Sequence, residues 1–328
     1  MGKNPDRNVG LELMRVTEAA ALAAARWVGR GQKESGDQAA VDAMRVMLKT
    51  TPMDGVIVIG EGEKDEAPML YNGEKVGAGY GPEMDVAVDP VEGTNLLAKG
   101  RPNSIAIVGL APRGSMWNPG PAFYMDKLIV GPEAKGHVDL DAPVSENLKA
   151  IAHAKGIHVE EVTVVFLDRE RNQEKIADAR GVGARVRLIT DGDVAPALMA
   201  GLPNTGVDAV MGIGGTPEGV ISACAMRGLG GEVQGRLAPQ SDDERQRVLE
   251  AGYDIDHKLT MGELVSVDDC FFAATGITQG DFLSGVRYTR DGAITTSLVV
   301  RSRSGTWRKV ESHHRWKKLT TISAVPYH

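Results

Sequence analysis

The sequence predicts an α/β protein with two unlike halves. Short β-branched runs, GVIVIG at 55–60 and VTVVFL at 162–167 among them, read as buried strands. Longer segments carry apolar residues at helical spacing. Beyond about residue 145 the two kinds alternate in the manner of parallel βαβ units. The expected organisation is an N-terminal α+β half, residues 1–150, and a C-terminal α/β half, residues 151–328, with the functional site between them.

The elements follow in order. From Leu11 to Val28, LELMRVTEAAALAAARWV forms a long helix stopped by Gly29 and Gly31. DQAAVDAMRVMLK is a second helix, with Val41, Met44 and Leu48 on one face and Asp37 at its start. GVIVIG is a strand delivering Glu61 and Glu63 to a loop, and EMDVAVD (83–89) is a strand delivering Asp89. NSIAIVGLA comes next, and a Gly/Pro/Trp-rich connection then leads to Tyr124 and the strand KLIVG. The alternating part reads helix 145–156, strand 162–167, helix 171–180, strand 185–190, helix 194–201, strand 207–213 and helix 217–228. After SDDERQRVLEAG, the segments FFAATG, SLVVRSRSG and TWRKVES close the chain with a small β-rich portion. Ligands gather at the carboxyl ends of strands in open sheets, and the ends here carry EGEKDE, DPVEGT, DRER, DGD and GGTPEG. Such similar strand ends point to one shared site.

With 42% hydrophobic and 25% charged residues in 328, the chain is of ordinary globular composition. A net charge of −7 argues against a general nucleic-acid binder, which needs clustered cations. No window approaches the roughly 18 apolar residues of a membrane span, and the N-terminus lacks the apolar core of a signal peptide. Cys224 and Cys270 sit in apolar surroundings, as buried thiols of a reducing cytoplasm do, although sequence alone leaves a disulfide open.

The most specific stretch is DPVEGT, residues 89–94. Like charges this close repel unless something positive lies between them. Pro90 and Gly93 let the backbone turn so that Asp89, Glu92 and Thr94 approach one point, a hard-oxygen set suited to Mg²⁺ or Mn²⁺. Glu218 in GGTPEG fits an ordinary helix start, with Thr216 as cap and Pro217 in the first turn, but glycines before a helix also expose amides to anions. Arg169 and Arg171 flank Glu170 just beyond a strand, where guanidinium forks suit a phosphate. Asp191 and Asp193 around Gly192 can cap the next helix or hold sugar hydroxyls, and Asp37 can be a helix cap or a ligand.

DPVEGT resembles the metal-binding signature of the lithium-sensitive phosphatases that act on sugar and inositol phosphates. With RGQKESGDQAAVDAMR upstream and GIGGTPEGV downstream, the sequence is similar to class II fructose-1,6-bisphosphatase, over segments from Ala19 to about Phe272. The resemblance implies a layered α/β/α/β/α sandwich. It makes Asp37, Glu61, Asp89, Glu92 and Glu218 the ligands of Mg²⁺ or Mn²⁺, with Asp37 beside the attacking water that Thr94 orients. It gives substrate contacts to Lys33, Glu92, Gly93, Thr94, Tyr124, Arg169, Glu170, Arg171, Asp191, Gly192, Asp193 and Gly215. The implied protein is a cytoplasmic homo-oligomer, dimer or tetramer, that hydrolyses the 1-phosphate of fructose 1,6-bisphosphate in gluconeogenesis. Sedoheptulose-1,7-bisphosphatase or inositol monophosphatase activity is the enzymatic alternative, and a non-catalytic metal or phosphosugar sensor the other. Paired arginines favour a bisphosphate over a monophosphate, and the presence of Thr94 favours an enzyme over a sensor.

Overall fold

A computed structural model describes residues 8–62, 69–322 and 325. The strands are β1 (Asp54–Ile59), β2 (Lys75–Val76), β3 (Glu83–Glu92), β4 (Ile105–Pro112), β5 (Tyr124–Val130), β6 (Thr163–Leu167), β7 (Arg185–Ile189), β8 (Ala209–Gly215), β9 (Glu232–Leu237), β10 (Phe271–Gly276), β11 (Arg287–Thr289), β12 (Gly292–Arg301) and β13 (Thr306–Arg315). They form two mixed sheets. The first runs β11-β12-β10-β4-β3-β1-β2 with β13 also on β12, and the second runs β7-β6-β8-β5-β9.

Of the ten α-helices among the described residues, seven position the site: α1 (Gly10–Ala24), α2 (Lys33–Leu48), α3 (Thr94–Ala98), α4 (Val144–Lys155), α5 (Gln173–Gly181), α6 (Val194–Gly201) and α7 (Thr216–Leu229). Three apolar clusters show the layering. Residues of α1 and α2 pack on one face of the first sheet, α6 and α7 fill the space between the sheets, and α4 and α5 cover the far face of the second. The order is α/β/α/β/α. In β4, Ile105 and Ile107 belong to the middle cluster while Ala106, Val108 and Leu110 belong to the outer one. A strand covered on both faces has no solvent side, which is why its sequence reads as one apolar run.

Each sheet draws strands from both sides of residue 150: β5 pairs with β8 and β9, while β10 sits between β4 and β12. The parallel pattern expected beyond residue 145 holds for β6 with β7 and β8, and β5, from the first half, joins the same sheet antiparallel to both neighbours. Finally, α2 starts at Lys33, so Asp37 lies a turn inside the helix and is no cap. Lys33 and Asp37 are then neighbours four residues apart on one face.

Among the described residues no helix is long and apolar enough to cross a membrane. Both cysteines are free thiols in the core, the Cys270 Sγ 3.6 Å from the Cys224 carbonyl.

Candidate active site

The site is built from the ends of strands β1, β3 and β7 and from helices α2, α3 and α7. β3 runs on through Pro90 to Glu92, past the expected stop at Asp89, with a bulge between Asp89 and Glu92. Within the bulge the Val91 amide donates to Asp89 Oδ1 at 3.0 Å. Gly93 then takes a φ of 83°, left-handed backbone that favours glycine, and α3 begins at Thr94. A bulge followed by a left-handed turn re-aims successive side chains, so Asp89, Glu92 and Thr94 reach the same space despite their positions along one strand.

That space is a cleft of about 340 Å³ lined by Lys33, Asp37, Glu61, Asp89, Glu92, Gly93, Thr94, Asp191 and Glu218, with Ile59 and Ile221 as apolar walls. Nine of the residues expected from sequence thus share one cavity. Gly192 adjoins it, since a Cβ there would lie 3.8 Å from Glu92 Oε2. Glu63, the other acid expected after β1, lies outside the described residues.

Electrostatics sets this cleft apart. Burial is the first cause that raises every carboxylate expected to hold metal, and neighbouring carboxylates add to it at Glu61, Asp89, Glu92 and Glu218. Glu61 is pushed up to about 8 by burial and by Asp37, and Asp37 is itself raised by burial despite Lys33. Asp89 is driven well up by burial and by Glu92, Glu61, Glu218 and Asp37; Glu92 by burial, Asp193 and Glu218. Glu218 is raised by burial and Asp193, and Lys127 partly offsets this. Side chains in this condition call for a positive partner.

The residues fit a hard divalent cation. The donor set is all oxygen, and Glu218 Oε2 is buried without any hydrogen-bond partner. As they stand, no three such side chains among the described residues converge closely enough to hold an ion.

The other expected residues lie beside the cleft rather than in it. Tyr124 pairs with Gly215 across β5 and β8, and the Arg171 guanidinium stacks on the Tyr124 ring at 4.6 Å while its Nε donates to the Ile213 carbonyl. Arg169 donates through Nη2 to the Thr190 carbonyl at 2.7 Å, next to Asp191, whose Oδ2 accepts from the Asn95 amide. Glu170 is exposed at the start of a 3₁₀ turn. Asp193 is buried, its Oδ2 held by Lys127 at 2.6 Å.

Two functional neighbours escaped the sequence reading. Lys127 was absorbed into an apolar strand, KLIVG, where a charge in such a run was the available signal. Asn172 carries no such signal, yet it is fully buried and bonds the Ile213 amide and carbonyl and the Leu167 carbonyl, tying β6 to β8.

Comparison with known proteins now bears on this cleft. Residues 7–314 match the family model described as bacterial fructose-1,6-bisphosphatase, glpX-encoded. The chain is 44% identical over 321 residues to fructose-1,6-bisphosphatase 1 class 2 of Escherichia coli K12, covering 94% of this chain and 95% of that protein. The class 2 fructose-1,6-bisphosphatase of Shigella flexneri matches to the same extent. With the model spanning nearly its whole length and the family's acidic motifs gathered in one cavity, the chain belongs to the bacterial glpX-encoded fructose-1,6-bisphosphatase family.

Proposed function

We propose that this protein hydrolyses the 1-phosphate of fructose 1,6-bisphosphate to fructose 6-phosphate and phosphate. The observation that carries the reading is the meeting of five carboxylates from four separate parts of the chain with Thr94 in one cleft, arginines alongside. Asp37, Glu61, Asp89, Glu92 and Glu218 would hold Mg²⁺ or Mn²⁺. When bound, the cations neutralise phosphate oxygens and acidify the attacking water. Lys33 adds positive charge at the mouth, the Thr94 hydroxyl orients the water, and Asp37 takes up its proton. Arg169 and Arg171, with Tyr124, Gly215 and the turn 191–193, hold the sugar and its second phosphate, while Glu170 borders that end. The work is mostly positioning and charge neutralisation, as phosphoryl transfer requires. The same reading makes the protein a cytoplasmic homo-oligomer of the lithium-sensitive phosphatase superfamily, serving gluconeogenesis.

The test is phosphate release by purified protein with Mg²⁺ or Mn²⁺, beside Thr94→Ala and a panel of sugar and inositol phosphates. The expected result is cation-dependent turnover selective for the bisphosphate, reduced on the order of 10²–10⁴-fold in the variant. Turnover of inositol phosphates instead would keep the site and discard the substrate. Cation binding without turnover of any phosphate would favour the sensor.

Gly215→Ala gives a separate check. Gly215 has φ −69° and ψ 140°, ordinary for any residue, but a Cβ there would sit 1.8 Å from Glu218 Oε2. Only the glutamate has to move. The expected outcome is a folded protein with a near-normal melting temperature in chelator, whose thermal shift on adding Mn²⁺ is largely lost.

A further inference from the structure

Lys127 stands in the middle of β5, on the face shared with Met125 and Ile129, whose side chains belong to the core between the sheets. Its side chain is 1% exposed. Lysine is almost never buried to that degree without a partner, and here the ammonium has two: Asp193 Oδ2 at 2.6 Å and the Gly215 carbonyl at 3.0 Å. Asp193 is the residue immediately before α6, and Gly215 the residue immediately before α7. One buried cation therefore ties together the starts of two helices.

Both starts bear on the cleft. The first amide of α6, that of Val194, donates to Glu92 Oε1 at 2.8 Å, and Glu218 projects from the first turn of α7. The surroundings are shaped for the pair. A Cβ on Gly214 would lie 2.3 Å from Asp193 Oδ2 and 3.0 Å from Lys127 Nζ, and one on Gly219 would lie 3.1 Å from Lys127 Cδ. Gly214 leaves the space in which the Asp193 carboxylate meets the lysine, and Gly219 fits close against the lysine stem.

We propose that the Lys127–Asp193 pair is a positioning device that fixes Glu92 and Glu218 in register with one another, so that both can serve a divalent cation. Neither partner of the pair reaches the reacting atoms. Their effect is on affinity: outer-shell groups that orient ligands are worth about 10–100-fold in metal binding. The inference rests on the assignment of Glu92 and Glu218 as ligands, and the wild-type protein tests that assignment by itself.

The experiment measures Mn²⁺ binding to metal-free wild type, Lys127→Met and the double variant Lys127→Met with Asp193→Asn by calorimetry, with melting temperatures and the kcat and KM for fructose 1,6-bisphosphate at saturating Mn²⁺. Lys127→Met leaves a buried carboxylate alone and destabilises the fold; the double variant removes both charges at nearly constant shape, so it recovers melting temperature. The expected result is that Mn²⁺ affinity stays weakened about 10–100-fold in the double variant after its melting temperature has recovered. Recovery of wild-type Mn²⁺ affinity along with stability would overturn the proposal, since the pair would then matter only for folding. Failure of both variants to fold would overturn it in the same way. Absence of Mn²⁺ binding by wild type would instead reject the ligand assignment, and the proposal with it.

Discussion

Glu92→Gln sharply reduces turnover and at the same time makes the metal-free protein more stable. Glu92 is 4% exposed and is raised well above its ordinary 4.5, by burial first and then by Asp193 and Glu218. A carboxyl whose folded value lies above its unfolded one adds stability below about pH 4.5 and loses it as pH rises through the folded value. At neutral pH the ionised form therefore opposes folding. Glutamine keeps the acceptor that the Val194 amide uses and cannot ionise, so the variant removes repulsion without opening a cavity. The expected gain is about 0.5–2 kcal/mol in chelator, growing with pH, read as a rise of a few degrees in melting temperature. Turnover with Mg²⁺ or Mn²⁺ falls on the order of 10²–10³-fold or more, because one charge aimed at the cation is gone. A variant that is inactive and less stable in chelator would contradict this account of the cleft.

Withdrawing divalent cations lowers the melting temperature most at alkaline pH. Asp37, Glu61, Asp89, Glu92 and Glu218 are all raised by burial and repulsion, Glu61 to about 8. Each contributes stability when protonated and loses it as pH climbs, so the metal-free protein weakens steadily from acidic pH to above pH 8. A bound cation reverses the preference of each carboxylate, and protons compete with it for the same oxygens. At a cation concentration 100 times its dissociation constant the stabilisation is about 2.7 kcal/mol, roughly 5 °C for a chain of this size. Paired melts with EDTA and with Mn²⁺ at pH 6 and pH 8.5 check the sign: the gap between them must widen at the higher pH.

Much of this was legible from residues alone, for reasons that can be named. Asp89, Glu92 and Thr94 lie within six positions, and their crowding is visible without a fold. Glu61 and Glu218 lie just past strands, so strand-end logic points them to the same cleft, whereas Asp37, inside α2, is implied only by the resemblance. Long-range pairing and weak local patterning account for the rest. Pairing between strands far apart in sequence leaves no local mark, so the entry of β5 into the second sheet and of β10 into the first could not be read from periodicity. The start of α2 was placed late because KESG carries no apolar spacing, although Lys33 already belongs to the helix. Strand β9, EVQGRL, was missed because Gln234 and Gly235 interrupt its pattern; both are buried there. Lys127 and Asp193 show the same limit, since an ion pair between residues 66 apart is invisible until the sheet and helices bring them together.

The place of β10 between β4 and β12 has a consequence for synthesis. β4 ends at Pro112 and β10 begins at Phe271, so at ~5–20 residues per second β4 leaves the ribosome roughly 8–30 s before its neighbour. Through that interval one edge of β4 stands open, with Ile107, Val108 and Leu110 uncovered beside it, a surface suited to chaperone capture or mispairing. Helix α1, which packs over β4 and β10, also waits for its floor. A chain cut after Glu250 holds every side chain of the cleft, yet lacks the strand that closes the sheet carrying Asp89 and Glu92. Activity should therefore arrive late in translation and all at once.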